Sequence, residues 1–165
     1  MSLIIPEAVR PSMKDYGISK KTEGLIAWDW VRNEMVKSRN YWICTTRPDG
    51  RPHAAPVWGV AFEDLVYFGT GKSSVKARNF LARPDVVLHL ESGDSCVIVE
   101  GRVEIVTDME LMRKLSPLYG EKYKPFKPTA EELAEGGLYT VKPQVVMAWK
   151  ESDFPNTATR WVFKK

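Results

Sequence analysis

Two tight reversals, one strand apart, constrain this chain more than any other feature. The run YWICTTR (41–47) is rich in β-branched and aromatic residues, and PDGRP follows it with Pro48, Asp49 and Gly50 at a reversal. HAAPVWGVAF (53–62) is a second run, Glu63-Asp64 a second reversal, and LVYFGT (65–70) a third run. Two hairpins in tandem predict an antiparallel meander. Pro56 lies inside the second run. Proline has no N–H to give to a ladder, so its nitrogen must face an edge, a bulge or a ligand.

The remaining segments extend the sheet and cover it. Residues 1–22 hold two prolines and scattered charges, which predicts an irregular arm lying on the surface or on a partner subunit. Over 23–38, Leu25, Trp28, Val31, Met35 and Val36 share one helical face. SSVKARNFLARPD reads as a short helix opened by a Ser cap and stopped before Pro84. DVVLHLESG and SCVIVEGRVEIV are two strands around a Gly-Asp turn, and DMELMRKLSPLYGEKY is an amphipathic helix capped by Asp108. KPFKPTAEEL (124–133) reads as a loop, LYTVKPQVVMAWK as a strand pair or one long strand, and TATRWVFK as the run that closes the sheet. The expected fold is mainly β with peripheral helices: six or seven antiparallel strands and two or three helices. A closed or half-closed barrel suits them because it hides sheet edges.

A chain of 165 residues is most simply one domain, here 1–165. Its net charge of +3 is too weak to indicate nucleic acid. No apolar run approaches a membrane span and the N-terminus lacks a leader pattern, so a cytoplasmic protein is expected. Cys44 and Cys96 make no zinc spacing and read as buried free thiols. Six Trp and six Tyr suggest flat surfaces for a flat ligand or a subunit interface, or simply an aromatic core.

The chemistry concentrates in GTGKSSVKARNF (69–80). Gly69, Thr70 and Gly71 turn from a strand into a helix whose start carries Ser73, Ser74 and Lys76, with Lys72 and Arg78 alongside. A helix N-terminus has free N–H groups and partial positive charge, so this is either an anion site or a capped surface helix. It is neither a Walker loop nor the dinucleotide fingerprint, whose spacings are absent. His53 and His89 each lie in a strand run with no obvious acidic partner and read as structural, with His53 on the second run in position to touch a substrate. Tyr119, Tyr123 and the basic Lys122, Lys124 and Lys127 segment suit a loop that closes over a substrate, or a solvated loop.

In order, T-x-R-P-D-G-R-P-H, P-V-W, T-x-x-x-S-x-K-A-R-N, P-x-V-x-L and V-x-G-x-V-E-x-V-x-D cover 41–108. This series resembles the pyridoxamine 5'-phosphate oxidase-like family of FMN-binding split barrels. TRWVF (159–163) is similar to the closing strand of its flavin/deazaflavin-dependent reductase branch. The resemblance implies a six- to seven-stranded antiparallel split β-barrel, with 41–108 as the cofactor-binding region. It implies a homodimer holding FMN, or alternatively a deazaflavin coenzyme, between subunits, and hydride transfer to or from a small-molecule substrate. It assigns the phosphate to Ser74, Lys76, Thr70 and Gly69, with Lys72 and Arg78 as further cations. It places the ring along the backbone of Ala54, Pro56, Val57, Trp58 and Gly59, with Cys96 near it. Trp161, Arg160 or the N-terminal arm is expected to approach the partner's cofactor.

The chain departs from the true oxidase. That enzyme has Arg-Lys where this chain has Val75-Lys76, an Arg where it has Ala54, and a ring-contacting Gln where it has Cys96. Its C-terminal substrate signature of Arg and His is not visible. Pyridoxamine phosphate is therefore not the expected substrate. The competing expectation is a non-catalytic FMN- or haem-binding or sensing module on the same barrel, and a third is a barrel that has lost its ligand. Neither nucleic acid nor membrane is expected as a partner.

Overall fold

The computed structural model describes residues 3–164. Seven strands are present: β1 (Asn40–Thr46), β2 (Pro52–Phe62), β3 (Leu65–Gly69), β4 (Asp85–Leu90), β5 (Ser95–Ile105), β6 (Leu138–Lys150) and β7 (Thr159–Val162). Among them run α1 (Trp28–Lys37), α2 (Val75–Ala82), α3 (Met109–Lys122), α4 (Ala130–Gly136), α5 (Phe154–Thr157) and a 3-10 turn at Glu151–Asp153. The sheet order is β3-β2-β1-β4-β5-β6-β7, and β3 also pairs with β6. That pairing closes β1 to β6 into a barrel and leaves β7 outside, beside β6. The expected fold class and the tandem hairpins are therefore present.

The closure differs from the sequence expectation. The last run does not close the sheet: Tyr67↔Thr140, Phe68↔Tyr139 and Gly69↔Leu138 do. β6 is 13 residues long, enough to serve β3 at its start and β7 from Val145 to Ala148. It is one strand despite Pro143. There the register with β5 shifts between Glu100 and Gly101, and Gly101 faces Pro143. A bulge absorbs the missing donor. A Cβ at Gly101 would stand 2.1 Å from the Lys142 carbonyl oxygen, so only glycine fits.

Alternation sorts the side chains. Tyr41, Ile43, Val57, Val66, Phe68, Leu88, Val97, Val99, Val141 and Val146 fill the barrel. α1 plugs the end near the β2–β3 turn, where Trp28 Nε1 and Arg32 donate to the buried Asp64 carboxylate. It begins later than expected, at Trp28, and Val36 is 58% exposed. Five residues past Val31, Val36 is rotated about 140° from it. α2 closes the opposite end, with Phe80 edge-on to Phe68 and Tyr139, and Asn79 Nδ2 donating to Thr45 Oγ1 at 3.0 Å. A second apolar cluster lies outside the barrel, where α3 and α4 cover Val60, Tyr67 and Leu138. α4 replaces part of the expected loop. Its Thr129-x-x-Glu132 capping box forms reciprocally.

The N-terminal arm lies on its own chain. Val9 bridges Arg160 of β7. Arg10 donates to four main-chain carbonyls, those of Lys21, Glu23, Asn156 and Ala158. Gly101→Ala is expected to lower the free energy of unfolding by about 1–3 kcal/mol through overpacking at the bulge, read as an earlier denaturant midpoint.

Candidate functional site

β2 is paired with β1 along Pro52 to Trp58, but with β3 only from Gly59 to Phe62. Beyond the Gly59–Phe68 pair the two strands part. β2 runs on as a one-sided strand, and β3 leaves at Gly69 toward α2. Pro56 sits on the unpaired stretch, opposite Trp42. Its missing N–H removes no rung because no third strand is there. N–H and C=O groups alternate in direction along an antiparallel strand, so Ala54 and Trp58 direct their main-chain groups the same way as Pro56, into the split.

Tyr119 stands at the fork. It is buried, and its hydroxyl donates to Tyr67 O at 3.0 Å while lying 3.5 Å from Trp58 O. Tyr123, one helical turn on, extends the β1–β2 ladder past its last residue pair. Its hydroxyl accepts from Gly59 N at 2.9 Å and reaches the carbonyls of Gly59 and Arg39. Lys122 Nζ donates to Gly59 O at 2.8 Å and Tyr41 Oη at 3.0 Å. Burial, helped by Arg39, pushes the Lys122 ammonium down to about 8. These three residues are not a closing loop: they pin β2 where it leaves β3. Lys124 and Lys127 are exposed.

The other wall is the start of α2. Ser74 is its cap, accepting from Ala77 N at 3.2 Å, with Thr70 Oγ1 3.2 Å away. The N–H groups of Val75 and Lys76 precede any intrahelical acceptor and are free for an anion. Lys76 and Arg47 both bear on His53: its imidazole is held below its ordinary range by burial first, then by these two cations. The structure thus gathers Ala54, Pro56, Trp58, Gly69, Thr70, Ser74 and Lys76 about one fork, with His53 and Arg47 added. Trp58 is half exposed and stacks on Tyr123 with centroids 4.5 Å apart.

Other expected site residues lie elsewhere. Val57 points into the core, and both main-chain polar groups of Gly59 are already bonded. A Cβ at Gly59 would come within 2.8 Å of Tyr67 O, so this glycine serves close strand packing. Cys96 is on β5, three strands from β2, opposite Trp149. Trp161 is 1% exposed and packs edge-on to Trp28, which makes it a core residue rather than one reaching toward a partner. Lys72 packs against Gly137 rather than beside Lys76, and Arg78 is exposed on α2. Cys44 is only half buried, and both thiols are free. The tyrosines at the fork were missed as structural residues. Their helical spacing signals burial, but nothing local names the main chain they bond.

The barrel face not covered by α3 and α4 carries a row set by register: Pro56, Trp42, His89, Ile98, Met147 and Arg160. Trp42 and His89 lie parallel, 6.3 Å apart. None of the six is fully buried.

The architecture is a closed antiparallel barrel whose β2 parts from β3 beside a capped helix. The family model for pyridoxamine 5'-phosphate oxidase matches residues 30–150, and the chain belongs to that family. Among solved structures, a conserved hypothetical protein of Mycobacterium tuberculosis is similar, with a TM-score of 0.68 and 23% identity over 80% of this chain and 89% of that one. An F420 reductase matches with a TM-score of 0.56 and 22% identity over 70% and 94% of the two chains. The haem storage protein HutZ of Vibrio cholerae matches with 0.57 and 16% over 68% and 87%. At these identities the likeness is one of fold. No curated protein matches the chain in sequence. Among the described residues no helix is long and apolar enough to cross a membrane.

Removing the Lys76 charge relieves its repulsion of the imidazolium. Lys76→Ala is therefore expected to raise the His53 pKa, toward but not past its ordinary value because burial remains. A proton NMR titration of the two histidines reads this, with His89 as internal control.

Proposed function

We propose that the protein is an FMN- or deazaflavin-dependent oxidoreductase acting on a small organic substrate. It would work as a homodimer with the cofactor in the fork, between subunits. The observation that carries this reading is the one-sided stretch of β2 facing the capped start of α2. It offers main-chain donors and acceptors along a flat edge, with an anion corner at one end. A flavin has that plan, a flat polar-edged ring joined to a phosphate.

The residues present fit such a group. The N–H groups of Val75 and Lys76, the Lys76 ammonium and the Thr70 hydroxyl would hold the phosphate. Ala54 and Pro56 carry little side chain, so a ring can approach the β2 main chain. Trp58, braced by Tyr123, would wall one end and keep water out. Ala54 and Val75 replace two cations of the true oxidase, and Arg47 beside His53 restores positive charge on that side. When bound, a flavin or deazaflavin supplies hydride transfer, and the protein supplies position and electrostatics. The uncovered row through Trp42 and His89 is the face offered to a second copy, since it joins the fork at Pro56. The lost cations and the likeness to a haem storage protein favour one second reading, a module that binds without turnover.

Fluorescence titration with FMN and with the deazaflavin coenzyme tests the site. One of them is expected to bind at micromolar concentration or better. Lys76→Ala is expected to weaken it by about 1.5–3 kcal/mol, the range for a hydrogen bond to a charged group. No binding of either, or no effect of the substitution, overturns the reading. Steady turnover with a reduced nicotinamide separates enzyme from binder. Light scattering is expected to give a dimer mass at micromolar concentration, lowered toward the monomer by Trp42→Glu.

A further inference from the structure

A second groove lies behind the Gly69–Ser74 loop, away from the split. It encloses about 370 Å³ among Leu81, Ile105, Val106, Met112 and Leu138, with Lys72 and Tyr139 also lining it. That volume falls within the range of small-molecule sites. Leu81 is 54% and Ile105 59% exposed, so two large aliphatic side chains stand in water at the same place. Neither packs into the apolar clusters of the barrel or of α3 and α4.

Two polar groups face this apolar surface without partners. Tyr139 is 2% exposed, its ring wedged between Phe68 and Phe80. Among the described residues its hydroxyl makes no hydrogen bond. It emerges beside Gly137, where a Cβ would lie 3.0 Å from the oxygen. Burial raises its pKa, so it is a neutral O–H donor at physiological pH. Lys72 runs along the same glycine, its Cγ 3.2 Å from that Cβ position, and its ammonium has no ion pair or hydrogen bond among the described residues. Gly137 has φ +93, and a Cβ there would also stand 3.0 Å from the Thr70 carbonyl oxygen, so only a glycine lets the Tyr139 hydroxyl and the Lys72 stem come this close. The nearby Asp108 carboxylate is occupied in capping α3, at 2.9 Å from Glu110 N and 3.2 Å from Leu111 N.

We propose that this groove binds a small amphipathic carboxylic acid, its carboxylate between Lys72 Nζ and Tyr139 Oη and its hydrocarbon part along Leu81, Ile105 and Met112. One ammonium and one hydroxyl match the two oxygens of a carboxylate, and a charge-assisted bond with a buried neutral donor suits an anion. The aliphatic walls remove the hydrocarbon from water. The site is separate from the fork: it uses the far side of the loop that carries Thr70 and Ser74.

Calorimetric titration of the full chain, without flavin, with decanoate below its micelle concentration tests this. One-to-one saturable binding is expected, with decylamine failing to bind and decanol binding more weakly. Lys72→Gln is expected to weaken decanoate roughly tenfold or more, and Tyr139→Phe to weaken it by a smaller factor, as for loss of a charged and a neutral hydrogen bond. Ile105→Glu, at an exposed position, is expected to abolish binding while circular dichroism shows an unchanged fold. Absence of saturable binding to the wild type overturns the proposal. So does equal affinity in Lys72→Gln and Ile105→Glu, or decanol binding as tightly as decanoate. None of these results depends on whether a flavin occupies the fork.

Discussion

A single phenolic oxygen sets where this sheet divides. Tyr119 Oη takes the position at which β2 and β3 would have made their next rung, satisfying Tyr67 O and approaching Trp58 O. Buried carbonyls must find donors, and here the donor comes from a helix outside the barrel. Once it occupies the gap the strands cannot zip further. β2 is then free to present one edge over the stretch that holds Pro56, and β3 is free to turn into α2. Tyr123 and Lys122 do the complementary work on the other side, replacing the β1 rung beyond Asn40. The split is a supported opening rather than a frayed end of the sheet.

Closure elsewhere makes that opening affordable in structural terms. β6 pairs with three strands, so the barrel is complete around the split and its ends are plugged by α1 and α2. The two faces of the wall then diverge in character. One is roofed by α3 and α4, and the other carries Trp42, His89 and their neighbours in a row ending at Arg160. The roofed face supplies the tyrosines that hold the fork open. The bare face shares Pro56 with the fork, so any partner seated there would also border the ligand edge.

Legibility in the sequence followed the range of the interaction. Tandem hairpins were readable because Pro-Asp-Gly and Glu-Asp reversals act over four residues. The caps Ser74 and Asp108 were readable for the same reason, and so was the exceptional placing of Pro56. Thr129-x-x-Glu132 was equally local, yet the lysines and prolines before it made the segment look like loop. The β3–β6 pairing joins residues about seventy positions apart, and no local pattern announces it. Side-chain direction was harder still. Lys72 and Lys76 share one loop-to-helix corner and part company: one packs on Gly137, the other stands by His53. Resemblance carried Cys96 and Trp161 into the site, but the register puts the first three strands away and the core keeps the second.

Arg10 has a consequence for how the N-terminal arm is held. Its guanidinium binds four neutral carbonyls and, among the described residues, no carboxylate. The carbonyl oxygens that receive it are neutral and do not titrate. The clamp contains no pair of opposite charges for salt to screen. The arm is therefore fastened to β7 and α5 through neutral main-chain acceptors rather than through an ion pair. Conditions that loosen ordinary surface ion pairs leave this end of the chain in place.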